Sequence, residues 1–170
     1  MSKPAAGTAS IAIRPAGAFD LALLAELHAA CFEERWDAAA LASLLAMPGA
    51  LAFLAAGPLP AGARSGDEQP LGFVLLRAIA GEAEIISIGV RPEARRAGIG
   101  RRLMDEALAA AAAGGASRLF LEVAADNWQA LGLYLSRDFT EVGRRVNYYQ
   151  RNGRGITALV LSRSVLPCRQ

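Results

Sequence analysis

One stretch constrains this chain more than any other. An apolar, β-branched run over residues 83–90 leads into the turn Arg95-Arg96-Ala97-Gly98-Ile99-Gly100, and an alanine-rich segment follows up to Gly114-Gly115. Residues 107–113 are all Ala or Leu, which sets a strong helix preference over 99–113, and the glycine pair supplies the usual helix ending. A second apolar run, 119–123, comes next. Strand, turn, helix and strand in this order predict a parallel pair joined by a right-handed crossover.

The flanking sequence predicts an antiparallel surround. Residues 11–14 alternate and stop at Pro15, a short first strand. Asp20 predicts the cap of a helix to about residue 30, with Leu23, Leu24, Leu27 and Cys31 at helical spacing. Asp37 predicts the cap of a second helix with a stripe of Leu41, Leu44 and Leu45, ending before Pro48. Residues 51–56 and 71–79 read as strands, and Ala80-Gly81-Glu82 as a hairpin turn into 83–90. Asn127 predicts a helix cap, with the helix reaching about residue 136 behind a packing stripe of Trp128, Leu131 and Leu135. Strands over 140–147 and 156–162 complete the order. The expected class is α/β: one domain over 9–165, with a mixed, mostly antiparallel sheet that holds a parallel pair and is flanked by helices. Residues 1–8 are expected to be a loose tail and 58–69, rich in Gly and Pro, a flexible loop.

Composition removes several function classes. With 170 residues, 54% hydrophobic and 20% charged, disorder is excluded, and no apolar run approaches the roughly 18 residues of a membrane span. A net charge of +2 is too small to argue for nucleic acid. Lys3 is the one lysine, so a P-loop is excluded. Cys31 and Cys168 make neither a disulfide framework nor a metal cluster, and the single His28 argues against a histidine zinc site or a Ser-His-Asp triad. No metal is expected. Met1-Ser2-Lys3-Pro4 offers no apolar start for a signal peptide, which predicts a cytoplasmic protein.

The glycine turn carries the first chemical signal. Backbone N–H groups at a helix start are unpaired, and the helix dipole adds positive potential, so a phosphate is a natural occupant. Gly98 and Gly100 clear side chains from its approach, and Arg95, Arg96, Arg101 and Arg102 add charge. A plain strand-to-helix turn with solvated arginines is the alternative. A dinucleotide fold fails, because Leu103 takes the third glycine position and the turn follows a hairpin instead of a first strand.

Arg95-x-x-Gly98-x-Gly100 resembles the acetyl-CoA pyrophosphate motif of the GNAT superfamily of N-acetyltransferases. The resemblance spans about residues 10–163. Its nearest form is the RimI type, which acetylates the N-terminal alanine of a small-subunit ribosomal protein. Cys31-Phe32 with Trp36, Ala83-Glu84-Ile85, Leu121-Glu122-Val123, Asn127, Leu133-Tyr134 and Asn147-Tyr148-Tyr149 carry it. It implies acetyl-CoA as co-substrate, bound by residues 95–101 and by Asn127. The strand Ile88-Gly89-Val90 is the segment whose backbone pairs with pantetheine. Gly89 reads either as a bulge that splays this strand from 119–123 or as a plain glycine in a core strand.

The resemblance makes Glu122 the general base and Tyr134 the general acid for the departing sulfur. From the residues alone, Glu122 alternates with Phe120 and Ala124 and is expected in a partly apolar cleft, where loss of solvent makes a carboxylate a better base. A salt-bridged structural glutamate and a core-edge tyrosine are the other readings. His28 reads as a packed or surface histidine and Cys31 as a core residue, and Tyr148 and Tyr149 as either groove lining or strand aromatics. The chain departs from the pattern at Arg35, Ser87, Arg137-Asp138-Phe139 and Gly155-Ile156-Thr157. Asp138 there is expected in a left-handed conformation. The expected acceptor is a protein or peptide N-terminus. A small amine, or a non-catalytic acyl-CoA-binding module, is the alternative.

Overall fold

A computed structural model describes residues 11–58 and 69–165. The chain runs β1 (Ala12–Ala16), α1 (Leu21–Cys31), α2 (Ala38–Leu45), β2 (Ala50–Gly57), β3 (Gln69–Ile79), β4 (Glu82–Val90), α3 (Ile99–Ala113), β5 (Arg118–Ala124), α4 (Trp128–Leu135), β6 (Thr140–Arg151) and β7 (Arg154–Ser164). Short 3-10 turns at Ala18–Asp20 and Pro92–Ala94 precede α1 and the glycine turn. The tail expected over 1–8, Cys168 and most of the loop expected over 58–69 lie outside the described residues; Gln69 is the first residue of β3.

One seven-stranded sheet has the order β1-β2-β3-β4-β5-β7-β6. All neighbours are antiparallel except β4 and β5, which run parallel as the crossover requires. That pair touches at three positions only, Glu82–Glu84 against Arg118–Phe120, and the strands then part. On one face α3 and α4 bury Ile99, Leu103, Met104, Leu131 and Tyr134 against β3, β4 and β5. On the other, α1 and α2 bury Leu24, Leu27 and Leu41 against Ala52, Leu54, Phe73 and Leu75. Each such leucine contributes about 1.5–3 kcal/mol by leaving water.

Several local expectations are corrected. Pro15 lies inside β1, paired with Phe53, because β1 is an edge strand and needs no second donor there. Asp20 precedes α1, yet its carboxylate turns back to accept from Gly17 N–H at 3.0 Å and to pair with Arg14 at 2.7 Å. Asp37 does cap α2, accepting from Ala40 N–H at 2.8 Å. On α4 the buried face is Leu131 and Tyr134, while Trp128 and Leu135 are 77% and 59% exposed. The bulge in β4 falls at Ile86, since Ser87 pairs with Leu75 and Ile85 with Leu76, and Gly89 stays in register with Phe73. Gly89 has a packing reason instead. A Cβ there would stand 2.9 Å from both Cys31 Sγ and a Phe73 ring carbon, so only glycine lets α1 lie this close to the strand. β6 and β7 extend beyond expectation to a two-residue turn at Asn152 and Gly153, both with positive φ as such a hairpin demands.

Candidate active site

Where β4 and β5 part, a cleft of about 730 Å³ opens. Ile88, Gly89, Val90, Arg95, Arg96, Gly98, Ile99, Gly100, Arg101, Asn127 and Tyr134 all line it, so the structure gathers eleven of the sequence-predicted residues in one place. Ala97 lies in the same turn but is not part of the lining, and neither is Glu122. Cys31, Phe32, Pro92, Ala94, Gln129, Ala130 and Leu133 complete the walls. The first two come from the end of α1, which nothing local in the sequence places beside β4.

Gly98 caps α3 at φ +77°, a left-handed conformation that side chains resist, and nothing stands within 4 Å of the position a Cβ would occupy. The first helical bond runs from Arg102 N–H to Gly98 O, leaving the N–H groups of Ile99, Gly100 and Arg101 without helical acceptors. Together with Arg95, Arg96 and Arg101, this cradle has the donors and charge that a pyrophosphate needs. Arg102 turns away, donating to Ile11 O at 2.7 Å. Gly100 meets Leu133 and Val90 at ordinary contact distances, so a Cβ there would touch the cleft wall without displacing it.

The strand edge is the second element. Arg91 N–H donates to Leu71 O, so by antiparallel alternation the N–H and C=O groups of Ile88 and Val90 point away from β3 and toward the gap. With β5 already parted from β4, they face the cleft. Val90 O accepts from Arg95 Nε at 3.1 Å, which ties the arginine to the strand. Asn127 begins α4, its side-chain oxygen accepting from Ala130 N–H at 3.2 Å, while the residue also lines the cleft.

Tyr134 is the buried polar group of the site, and burial pushes its hydroxyl up to about 12, with Tyr149 adding a smaller push. It is therefore protonated throughout the physiological range. Tyr149, on β6, is itself shifted upward by burial and then by Glu122, so it stands within electrostatic reach of both groups. Glu122 departs from expectation. Its side chain is 28% exposed, and Arg145 Nη1 donates to its two carboxylate oxygens at 3.0 and 3.3 Å. A guanidinium, not an apolar wall, faces it, because Arg145 on β6 and Glu122 on β5 sit diagonally across β7 on one side of the sheet. Sequence reasoning missed Arg145, which pairs across 23 positions.

The α1–α2 connection is held by His28. Its ring stacks on Trp36 at 4.4 Å and its Nδ1 accepts from Trp36 N–H at 3.3 Å. Burial lowers its proton affinity, opposed weakly by Glu34. Burial likewise raises the Cys31 thiol, so both are packing residues, Cys31 at the cleft wall and His28 against Trp36. Among the described residues no cluster of His, Cys, Asp and Glu is arranged to hold a metal, and no helix is long and apolar enough to cross a membrane.

The profile of the Acetyltransferase (GNAT) family matches residues 21–139. The [ribosomal protein bS18]-alanine N-acetyltransferase of Salmonella typhimurium is 35% identical over 83 residues, 49% of this chain and 56% of that protein. N-alpha-acetyltransferase RimI of Mycobacterium tuberculosis is 46% identical over 72 residues, 42% of this chain and 44% of its own. The chain thus spans about half the length of the curated relatives it matches. Among solved structures, the ribosomal-protein-S18-alanine N-acetyltransferase of Escherichia coli superposes with a TM-score of 0.80 at 24% identity, over 95% of this chain and 97% of that one. NAA60 of Arabidopsis thaliana in complex with acetyl-CoA superposes with a TM-score of 0.77 at 19% identity, over 92% and 99%. At these identities the superpositions show a shared fold.

Proposed function

The chain belongs to the GNAT acetyltransferase family, and from that premise we propose that it transfers acetyl from acetyl-CoA directly to an amine, foremost the N-terminal alanine of a protein of ribosomal type. The observation that carries this reading is the cleft at the parted β4–β5 pair. There an open helix start, an unpaired strand edge and a buried, protonated tyrosine meet in one slot. The alanine acceptor rests on the relatives named for that activity.

Acetyl-CoA supplies an acyl group activated as a thioester. The residues of this chain then divide the work. The turn from Arg95 to Arg101 and Asn127 bind and orient, and the β4 edge at Ile88 and Val90 offers N–H groups to the thioester oxygen as charge builds on it. Glu122 takes a proton from the acceptor ammonium, directly or through water, once Arg145 gives way. The neutral nitrogen forms its bond to the acetyl carbon while the carbon–sulfur bond breaks. Tyr134 gives its hydroxyl proton to the sulfur and is restored by the second proton leaving nitrogen. Glu122 returns its proton to solvent, one per turnover.

Thiol release from acetyl-CoA, followed beside mass analysis of the acceptor, tests the reading on Ala-starting peptides and on polyamines. Release matched by N-terminal acetylation is expected. A far higher kcat/KM on polyamines would move the protein to small-molecule acceptors. Cofactor binding without thiol release on any amine would make it a binding module.

A further inference from the structure

Resting on the assignment of Glu122 as base, we infer that Asn147 is a positioning residue: it holds a left-handed kink in β6, seated on Gly155, that gathers Arg145, Tyr148 and Tyr149 beside Glu122. Arg145 pairs with Ala158 and Tyr149 with Ile156, so Val146, Asn147 and Tyr148 stand opposite Thr157 alone. Two residues are in excess, and Asn147 at their centre takes φ +53°. Asparagine adopts that conformation more readily than most side chains. Gly155, in register with Gln150 on the same hairpin, supplies the seat. A Cβ there would stand 2.6 Å from Asn147 Cγ and 2.7 Å from Asn147 Cβ, so the asparagine occupies the space that any other residue at 155 would fill. The φ of Gly155 is not positive, so this close approach is what calls for glycine.

The kink changes which side chains meet. In a regular strand, residues three apart point to opposite faces and lie about 10 Å from each other. Arg145 and Tyr148 are three apart, yet the guanidinium carbon lies 3.9 Å from the centre of the Tyr148 ring. Tyr149 meets the Tyr148 ring edge-on at 5.1 Å and is near enough to Glu122 for that carboxylate to push its hydroxyl upward. Arg145 in turn donates to Glu122 at 3.0 Å. In an unbroken ladder Asn147 would face Ile156, and Tyr149 would fall opposite Arg154, about 7 Å farther from Glu122 along the hairpin. β6 has no buried residue, so the kink serves no core. A left-handed residue kept at such a place points to the site it shapes.

Steady-state kinetics on an Ala-starting peptide in Asn147→Val, Asn147→Gly and Gly155→Ala test this. Valine resists the left-handed turn and alanine takes the seat, so both should lower kcat/KM for the peptide at least about tenfold. The KM for acetyl-CoA and the thermal midpoint should stay near the parent's. Glycine lets the backbone keep its kink, so Asn147→Gly should lose about threefold at most. An amide that touched the acceptor itself would be missed equally in the glycine and valine variants, so their order separates positioning from contact. Tyr149→Ala gives a second readout: added to Asn147→Val it should cost nothing further, since the kink acts through that ring. Peptide rates within twofold of the parent in both Asn147→Val and Gly155→Ala, equal losses for glycine and valine, or additive losses in the double variant overturn this inference alone. Losses that come with a raised acetyl-CoA KM or a lowered midpoint make the kink structural and overturn it too. If the parent acetylates no peptide, the acceptor reading falls and takes this inference with it.

Discussion

β3 and β6 are strands of 11 and 12 residues, and they share little beyond length. β3 has six consecutive buried residues, 71–76, pressed between α3 on one face and α1 on the other. β6 is the sheet edge and has no buried residue; its register with β7 shifts twice, and Asn147 adopts φ +53°. The contrast maps onto the two ends of the site. The proposed cofactor side stands on β4, zipped to β3, where backbone groups can be aimed and held. The proposed acceptor side, with Arg145, Tyr148 and Tyr149, stands on the exposed strand. A strand clamped on both faces suits an invariant ligand bound through main chain. A solvated edge can change its side chains at little cost to stability, and so suits a partner chosen by side chains.

Substitutions can break or sharpen this contrast. The largest effect is expected at Phe73, fully buried beneath Gly89: Phe73→Ala should cost about 3–5 kcal/mol in urea unfolding, and a loss under 1 kcal/mol would deny that the β3 half is the rigid one. At the junction of the halves, Glu122→Gln and Tyr134→Phe should each lower kcat by on the order of a hundredfold with acetyl-CoA affinity nearly unchanged. The Glu122 variant should recover at higher pH, where the amine is already neutral. The Tyr134 variant should not. The parent should show no falling limb from Tyr134 below about pH 10, because its hydroxyl is held at about 12. Turnover of both variants within a few-fold of the parent would return the pair to structural roles. Gly98→Val comes next. With φ at +77° it should cost about 1–2 kcal/mol of backbone strain and weaken acetyl-CoA binding at least tenfold by calorimetry on folded protein. Undiminished affinity would remove the phosphate role of the turn. Smallest is Val146→Ser on β6, 75% exposed, which should change stability by less than about 0.5 kcal/mol.

Acid adds a directional check on the clamped half. His28 is buried with its proton affinity lowered, so the unfolded chain binds more protons than the folded one. Stability should therefore hold above the ordinary histidine range and fall as pH drops below about 6.5. Thermal midpoints from pH 8 to 5 measure it, and His28→Asn should flatten that slope.

What was legible in the sequence was local. α3 spans 99–113 as its alanines and closing glycines dictate, and the left-handed Asp138 follows from a helix ending without glycine, at φ +60°. The geometry of the turn proposed to cradle the cofactor was legible for the same reason, since a helix start and its preceding turn are made by neighbours in the chain. Three things were not. Gly89 answers to Cys31 on α1, a contact that only the packed fold creates. The Ile86 bulge is a property of two strands and appears in neither alone. Glu122 and Arg145 meet because β6 and β7 slip in register, and no spacing rule encodes a slip.

The three-position contact between β4 and β5 has a consequence for how the molecule comes apart. Each side of that seam is contiguous in sequence, and α3 is the strap between them. A ligand laid along Ile88 and Val90 would supply rungs that the protein itself omits and would tie the two sides of the seam together. Occupancy would then be recorded far from the slot, in amide exchange across β5 and β7 as much as in β4.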